Sequence, residues 1–336
     1  MTRARTVLGD PLRATYDTVL AHEHLLIDIR CWHDDSHAAT RDLRDELVTA
    51  ASVGRVRENP FACLDNLVLD DEPSAAAELS RLQGLGSTLV IDVTPDSVGR
   101  DPERLAAIAR ASGIDIVMGC GPYIAEARPD DDPAWGSEHY RDDLLTLLAA
   151  DGPHPAVIGE IGTSDPILPV EVAALTGAAQ AQALLPGIAL YVHLHPFARR
   201  GHEALDLVES GGGDLRRTVL CHLDPQIPAG LDYHRSLLAR GCTIAFDLWG
   251  DEDQYGADRM PTDDERIAAL LELIGAGYGG QLVHSHDVCL KSQLARFGGP
   301  GYAHIPRVVR PRLLAAGLSE DEVARQLSGN ARALLG

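Results

Sequence analysis

The sequence predicts an α/β chain closed into a (β/α)8 TIM barrel, and three observations carry that expectation. Eight short apolar runs alternate along the chain with longer helical patterns, the signature of βα units built on a parallel sheet. The 336 residues, 45% of them hydrophobic, suit one such barrel with extra segments at both ends, so a single domain is expected over 1–336. Polar, metal-ligating side chains gather toward the C-terminal ends of the runs, which in a barrel all open at one mouth. A doubly wound open sheet is the structural alternative.

The strand candidates, in order, are TVLAHEHLLIDI from 18, STLVIDVTP from 87, DIVMGCGPYI from 115, PAVIGEIGTSD from 155, IALYVHLHP from 188, RTVLCHLDP from 217, TIAFDLWG from 243 and QLVHSHDV from 281. Between them lie helical patterns such as DEPSAAAELSRLQGLG, DPERLAAIARASG, PVEVAALTGAAQAQALL, GHEALDLVESGGG, YHRSLLARG and TDDERIAALLELIGAG. Several open on Asp, Thr or Pro and close on Gly, which supplies the capping oxygen and the left-handed terminal residue that helix ends require. The stretch 30–70 is too long for a simple loop and is expected to hold a helix plus an irregular excursion, placed above the first strand as a lid or pocket wall.

Fifty acidic against 29 basic residues give a formal net charge of -21, which argues against nucleic acid and against an anionic membrane as partners. The first twenty residues lack the continuous apolar core of a signal peptide and no run approaches a bilayer span, so a cytoplasmic protein acting on a small molecule is expected. The six cysteines are scattered without a CxxC pair and read as free thiols. A homodimer is the base-rate expectation.

Side chains alternate across a strand, so His22 and His24 share a face that can point into the barrel, while Glu23 points to the helix layer. Glu160 follows the apolar approach AVIG on the fourth run, His193 and His195 repeat the two-residue spacing on the fifth, His222 and Asp224 follow on the sixth, and HSHD places Asp287 at the end of the eighth. His284 and His286 alternate away from Asp287 and are expected to pack outward. Burying so many charges and donors unpaired would cost several kcal/mol each. Divalent metal removes the conflict, because neutral imidazole and carboxylate are what Zn²⁺ and its neighbours coordinate. Four imidazoles and two carboxylates exceed what one open tetrahedral site uses, so two metal ions are expected, with Zn²⁺ first and Mn²⁺, Co²⁺ or Fe²⁺ as alternatives. The HEHLL stretch is not the zinc-protease helix motif, which needs His where Leu26 stands.

This ordered set resembles the amidohydrolase superfamily of metal-dependent hydrolases and, within it, the phosphotriesterase family. AHEHLLIDI is similar to that family's first-strand motif, and IGEIGTSD, VHLHP, CHLDP, FDLWG, HDVCLKSQLARFGGPGYAHI and GLSEDEVARQLSGNARALL continue the likeness over nearly the whole chain. The resemblance implies that His22, His24 and Asp287 hold the more buried metal, that His193 and His222 hold the more exposed one, and that Glu160 bridges them. The bridging residue in phosphotriesterase itself is a carbamylated lysine; Glu160 places this chain with the branch that uses a glutamate. Phosphotriesterase also relays a proton through an Asp and a His whose approximate counterparts here are Pro225 and Leu248, which argues against optimised phosphotriester hydrolysis.

The implied reaction is hydrolysis by a metal-bridging hydroxide, with Asp287 as the catalytic general base and then general acid. A lactone or carboxylic ester is the first substrate expectation and an N-acyl amide the second. A phosphoester hydrolase on the same metal site and a non-catalytic binding protein are the alternatives. For substrate contact the candidates are His195, which either touches substrate or supports a ligand, Tyr123 and Trp249, which end the third and seventh runs, and Lys291 and Tyr302 after the eighth. Asp224 and Asp247 are candidates to orient ligand histidines.

Overall fold

A computed structural model describes residues 4–128, 135–150, 152–255 and 258–336. The eight apolar runs form eight strands: β1 (Thr18–Glu23), β2 (Thr88–Asp92), β3 (Asp115–Met118), β4 (Ile158–Gly162), β5 (Leu190–His193), β6 (Thr218–Leu220), β7 (Thr243–Phe246) and β8 (Leu282–His284). Each lies between helices in the order a βα barrel requires: α1 (Glu72–Ser80), α2 (Pro102–Ser112), α3 (Ser137–Leu148), α4 (Pro169–Leu184), α5 (Gly201–Ser210), α6 (Asp232–Leu238) and α7 (Asp263–Gly275). Short helices at Arg310–Ala315, Glu320–Ala324 and Asn330–Ala333 follow β8. The caps are those the residue types demand. Asp101 accepts from the Glu103 and Arg104 amides at the start of α2, and Thr262 forms a capping box with Glu265 at the start of α7.

Parallel pairing runs in two arcs, β1-β2-β3 and β4-β5-β6-β7-β8. At the two seams individual backbone bonds take over. Gly159 donates to the Cys120 carbonyl (2.7 Å) and Ala156 to that of Met118 (2.8 Å), while the Asp287 amide donates to the His22 carbonyl at 3.3 Å. The period-2 pattern sorts the strand residues into two cores. Val19, Leu89, Ile91, Val117, Tyr191, Val219, Ala245 and Val283 fill the barrel interior, whose lower end is plugged by Tyr16, Leu334 and Leu335. Leu20, Val90, Ile116, Val192, Leu220, Ile244 and Leu282 face the helices.

The 30–70 stretch contains only one helical turn, Val53–Val56, among 3-10 turns at Arg30–Trp32, Arg41–Leu43, Pro60–Ala62 and Leu64–Leu67. The helix expected in this stretch is this single turn, and the rest is the irregular excursion. The segment is tied down by an antiparallel pair, Ile27–Asp28 with Val68–Leu69, and by its own small core of Leu43, Val56, Ala62 and Cys63. No helix among the described residues is long and apolar enough to cross a membrane.

Candidate metal centre and pocket

Strict alternation would not build the site. In β1, Leu20 faces the helices and Ala21 the interior. The pairing with β2 then slips between Leu20 and Glu23, so His22 also turns inward and Glu23 outward. β4 repeats the device: Val157 faces in and Ile158 out, the pairing with β5 slips between Ile158 and Ile161, and Glu160 enters the interior. Gly159 makes this slip possible; its φ is +109°, and a Cβ there would stand 2.3 Å from the Tyr191 carbonyl oxygen. His222 and Asp287 reach the same volume through left-handed backbone conformations, with φ of 61° and 50°. His193 alone follows regular alternation, after Tyr191 inside and Val192 outside.

The six converge. His22 Nε2 lies 3.3 Å from His24 Nε2 and 3.5 Å from Glu160 Oε2, and His24 Nε2 lies 3.4 Å from Glu160 Oε1 and 3.1 Å from Asp287 Oδ1. On the other side of Glu160, its Oε2 is 3.1 Å from His193 Nδ1 and 3.4 Å from His222 Nε2, and those two nitrogens are 2.8 Å apart. Within these six, three overlapping groups have ligand atoms within 4.8 Å of one another: His22, His24 and Glu160; His22, His222 and Asp287; Glu160, His193 and His222; a fourth group joins His22 to Cys221 and Asp247. All six residues are buried. Among the described residues only imidazoles pair with Glu160 and Asp287; no Lys or Arg does.

Two buried carboxylates without a fixed cation, surrounded by imidazole nitrogens at 3.1–3.6 Å, fit divalent metal. The groups behind the ligands point the same way. Asp247 Oδ2 stands 3.1 Å from His22 Nδ1 and its Oδ1 3.4 Å from His222 Nδ1, and Thr94 Oγ1 is 2.9 Å from His24 Nδ1. Each partner occupies the far nitrogen of its ring and leaves Nε2 facing the centre. Burial pushes the His193 imidazole down, which favours the neutral, ligating form. Burial would raise the Glu160 carboxyl, but the His22 charge and the hydrogen bond with His193 hold it well below the usual carboxylate range.

A polar chain supports Asp247. The Asp224 carboxylate accepts the Asp247 amide (3.0 Å) and the Arg266 Nε–H (2.7 Å), and Arg266, fully buried, also donates to the Asp251 carbonyl at 2.8 Å. Glu23 serves another purpose. It accepts from the Ser285 hydroxyl and from the amides of His286 and Val288, fixing the turn that carries Asp287. His284 and His286 face away from the centre, onto Trp249 and Gln326 and onto Glu23 respectively.

Above the six residues lies a pocket with an empty volume of about 650 Å³, walled by Trp32, Phe61, Tyr123, Phe197, Leu248, Tyr255 and Met260 among others. Tyr123 lines the pocket, its hydroxyl 3.4 Å from His193 Nδ1 and accepting the Trp32 indole N–H at 3.2 Å. His195 is not among the residues that line the pocket; its ring stands 5.8 Å from that of Trp32, which does line it. The other three substrate candidates also lie outside the lining. Trp249 is fully buried in the core that faces the helices and donates its indole N–H to His284 Nδ1. Lys291 pairs with Asp65, and the Tyr302 hydroxyl donates to the His24 carbonyl at 2.7 Å, bracing that backbone from behind. Trp32, Phe61, Phe197 and Tyr255 escaped sequence reasoning, since they sit in loops with no periodicity to flag them.

A model of the family described as "Phosphotriesterase family" matches residues 3–335. The N-acetyltaurine hydrolase of Tetraodon nigroviridis is 30% identical, with 98% of this chain and 96% of that protein covered. A resiniferatoxin-binding protein from Rhodobacter sphaeroides superposes with a TM-score of 0.93 at 34% identity, covering 99% of this chain and 94% of that one. A mutant of a phosphotriesterase-like lactonase from Deinococcus radiodurans superposes with a TM-score of 0.72 at 26% identity, covering 99% of this chain and all of that one.

Proposed function

We propose that this chain, which belongs to the phosphotriesterase family and is a metal-dependent hydrolase, uses a two-metal centre to cleave a carboxyl-type bond, in a lactone, ester or N-acyl amide. The observation that supports this reading is the convergence of six residues, of which His24, Glu160, His193, His222 and Asp287 line the floor of a largely apolar pocket and His22 lies buried beneath them. His22, His24 and Asp287 would hold one cation, His193 and His222 the other, and Glu160 would be shared between them. Bound there, divalent cations supply an activated water and an electrophile for the scissile oxygen.

The remaining work falls to the protein. Asp287 has its carboxylate beside His24 Nε2 and on the pocket wall, so it can accept the proton of the attacking water and return it to the leaving group. Tyr123 and Trp32, hydrogen-bonded to one another, wall the His193 side and exclude bulk water. Leu248 contributes an apolar face at the position where phosphotriesterase itself would carry its relay histidine, and Pro225 lies outside the pocket lining, which favours a carbonyl over a phosphotriester substrate. Zn²⁺ is the first choice of metal, and a cytoplasmic site of action and a homodimer complete the reading.

Metal analysis of the purified chain together with a substrate panel tests it. About two equivalents of transition metal, hydrolysis of lactones, esters or acyl amides, and loss of activity on chelation are expected. A single equivalent would overturn the two-metal reading, and faster turnover of phosphotriesters than of any carboxyl substrate would overturn the substrate class.

A further inference from the structure

Five rings from three separate loops close a collar over the centre. Trp32 stacks on Phe61 with centroids 6.0 Å apart, Phe61 meets Tyr255 at 5.4 Å, Tyr255 meets Phe197 at 6.1 Å, Phe197 meets His195 at 6.3 Å, and His195 returns to Trp32 at 5.8 Å. Trp32 and Phe61 come from the 30–70 excursion, His195 and Phe197 from the loop after β5, and Tyr255 from the hairpin Gln254–Tyr255 with Asp258–Arg259 after β7. No Lys or Arg among the described residues lines the pocket, whereas Asp251 does, its carboxylate accepting from the Tyr255 hydroxyl (2.7 Å) and the Asp253 amide (3.0 Å). The sequence between the described parts beside the hairpin, Gly256 and Ala257, adds no cation.

We infer that the collar selects substrates whose group remote from the scissile carbonyl is uncharged and aromatic or bulky apolar, and that it rejects acyl amides of amino sulfonates and amino carboxylates. The inference rests on the hydrolase reading above and narrows it. A planar group gains offset or edge-to-face contact with several rings at once. An anionic group at the same distance from the carbonyl meets no counter-charge in the collar, loses its water, and faces the Asp251 carboxylate. This sets the chain apart in specificity from its N-acetyltaurine-hydrolysing relative, whose substrate ends in a sulfonate.

Matched N-acyl amines ending in phenyl or in sulfonate at equal distance from the carbonyl, N-acetyltaurine being the sulfonate member, test this on the metal-loaded full chain. The phenyl member is expected to have kcat/KM about tenfold or more above the sulfonate member. Phe61→Ala should raise KM for the phenyl member with little change in kcat, and Met260→Lys should shift the ratio toward the sulfonate. Equal or faster turnover of the sulfonate member overturns the inference. Binding gives an independent readout: quenching of Trp32 fluorescence by hydrolysis-resistant phenyl and sulfonate analogues, with Trp32→Phe as the control. If neither member is hydrolysed, the hydrolase reading fails for this substrate class. The titration then still decides the collar, tighter phenyl binding supporting it and equal binding overturning it.

Discussion

Replacing Arg266 by Met tests the polar chain behind the centre. Arg266 and Asp224 are both fully buried, and the guanidinium is the one ion-pair partner of the Asp224 carboxylate among the described residues. Burial, aided by the Asp247 charge, pushes the Asp224 carboxyl up from 3.8 to about 6 even with Arg266 in place. A carboxyl raised in this way contributes stability that is fully present below its unfolded value and is lost as pH rises through its folded value. For Asp224 that loss runs from about pH 4 to pH 6 and amounts to about 3 kcal/mol. Without the guanidinium the folded value moves higher still, so the loss continues above pH 6 at about 1.4 kcal/mol per unit. Arg266→Met is therefore expected to cost about 3–5 kcal/mol at pH 8, the range for breaking a buried pair. At pH 5.5, where Asp224 is largely protonated in both proteins, only about 1–2 kcal/mol should remain, from lost packing and the hydrogen bond to the Asp251 carbonyl. Urea unfolding of the metal-free proteins at the two pH values, followed by far-UV circular dichroism, measures both. Adding Asp224→Asn should remove the pH-dependent part, since the amide oxygen still accepts the Asp247 N–H. A deficit identical at the two pH values, or below 1 kcal/mol at pH 8, would refute the account.

Three further outcomes are expected. Gly159→Ala places a Cβ 2.3 Å from the Tyr191 carbonyl in a left-handed backbone, so the bulge that delivers Glu160 should fail; bound metal should fall well below the parent content by elemental analysis, with Tm lowered. Asp287→Asn should retain the fold and reduce kcat by about 10²–10⁴, the usual worth of a positioned general acid–base; full activity with metal bound would remove that role. In the metal-free centre, burial opposes protonation of His24, yet Asp287 and Glu160 hold its imidazole up at about 9. A cation must displace that proton, so affinity measured by chelator competition should rise roughly tenfold per pH unit for each proton displaced, up to about pH 9. A flat profile between pH 6.5 and 8.5 would contradict this.

Much of the barrel was legible because its physics is local and periodic. Runs such as TLVID and TIAF are strand-length and apolar on both faces, and residues such as Asp101, Pro102 and Gly113 mark helix ends by chemistry that needs no partner. The six converging residues were legible from their types and their places at strand ends. How they converge was not. Alternation puts His22 and His24 on one face, but only the slip between Leu20 and Glu23 decides that this face is the interior, and that slip depends on the register with β2. The aim of His222 and Asp287 depends on backbone dihedrals that their residue types do not announce. The pocket wall was hidden for a different reason. Trp32 and Phe61 belong to turns held by tertiary contacts, whereas Trp249, an equally plausible aromatic at a strand end, is drawn away by its hydrogen bond to His284.

Asp247 has a wider consequence. One carboxylate stands behind His22 and behind His222, which the proposed two-metal reading gives to different cations. On that reading, an Asp247 held in place by one ring would also prepare the other, so the cost of organising the second half would be met by the first. Loading should then be cooperative: sub-stoichiometric metal would yield a mixture of empty and doubly loaded molecules rather than a population carrying one ion each. The centre would behave as one unit with two states, and partial metal starvation would lower the number of active molecules without changing the properties of those that remain.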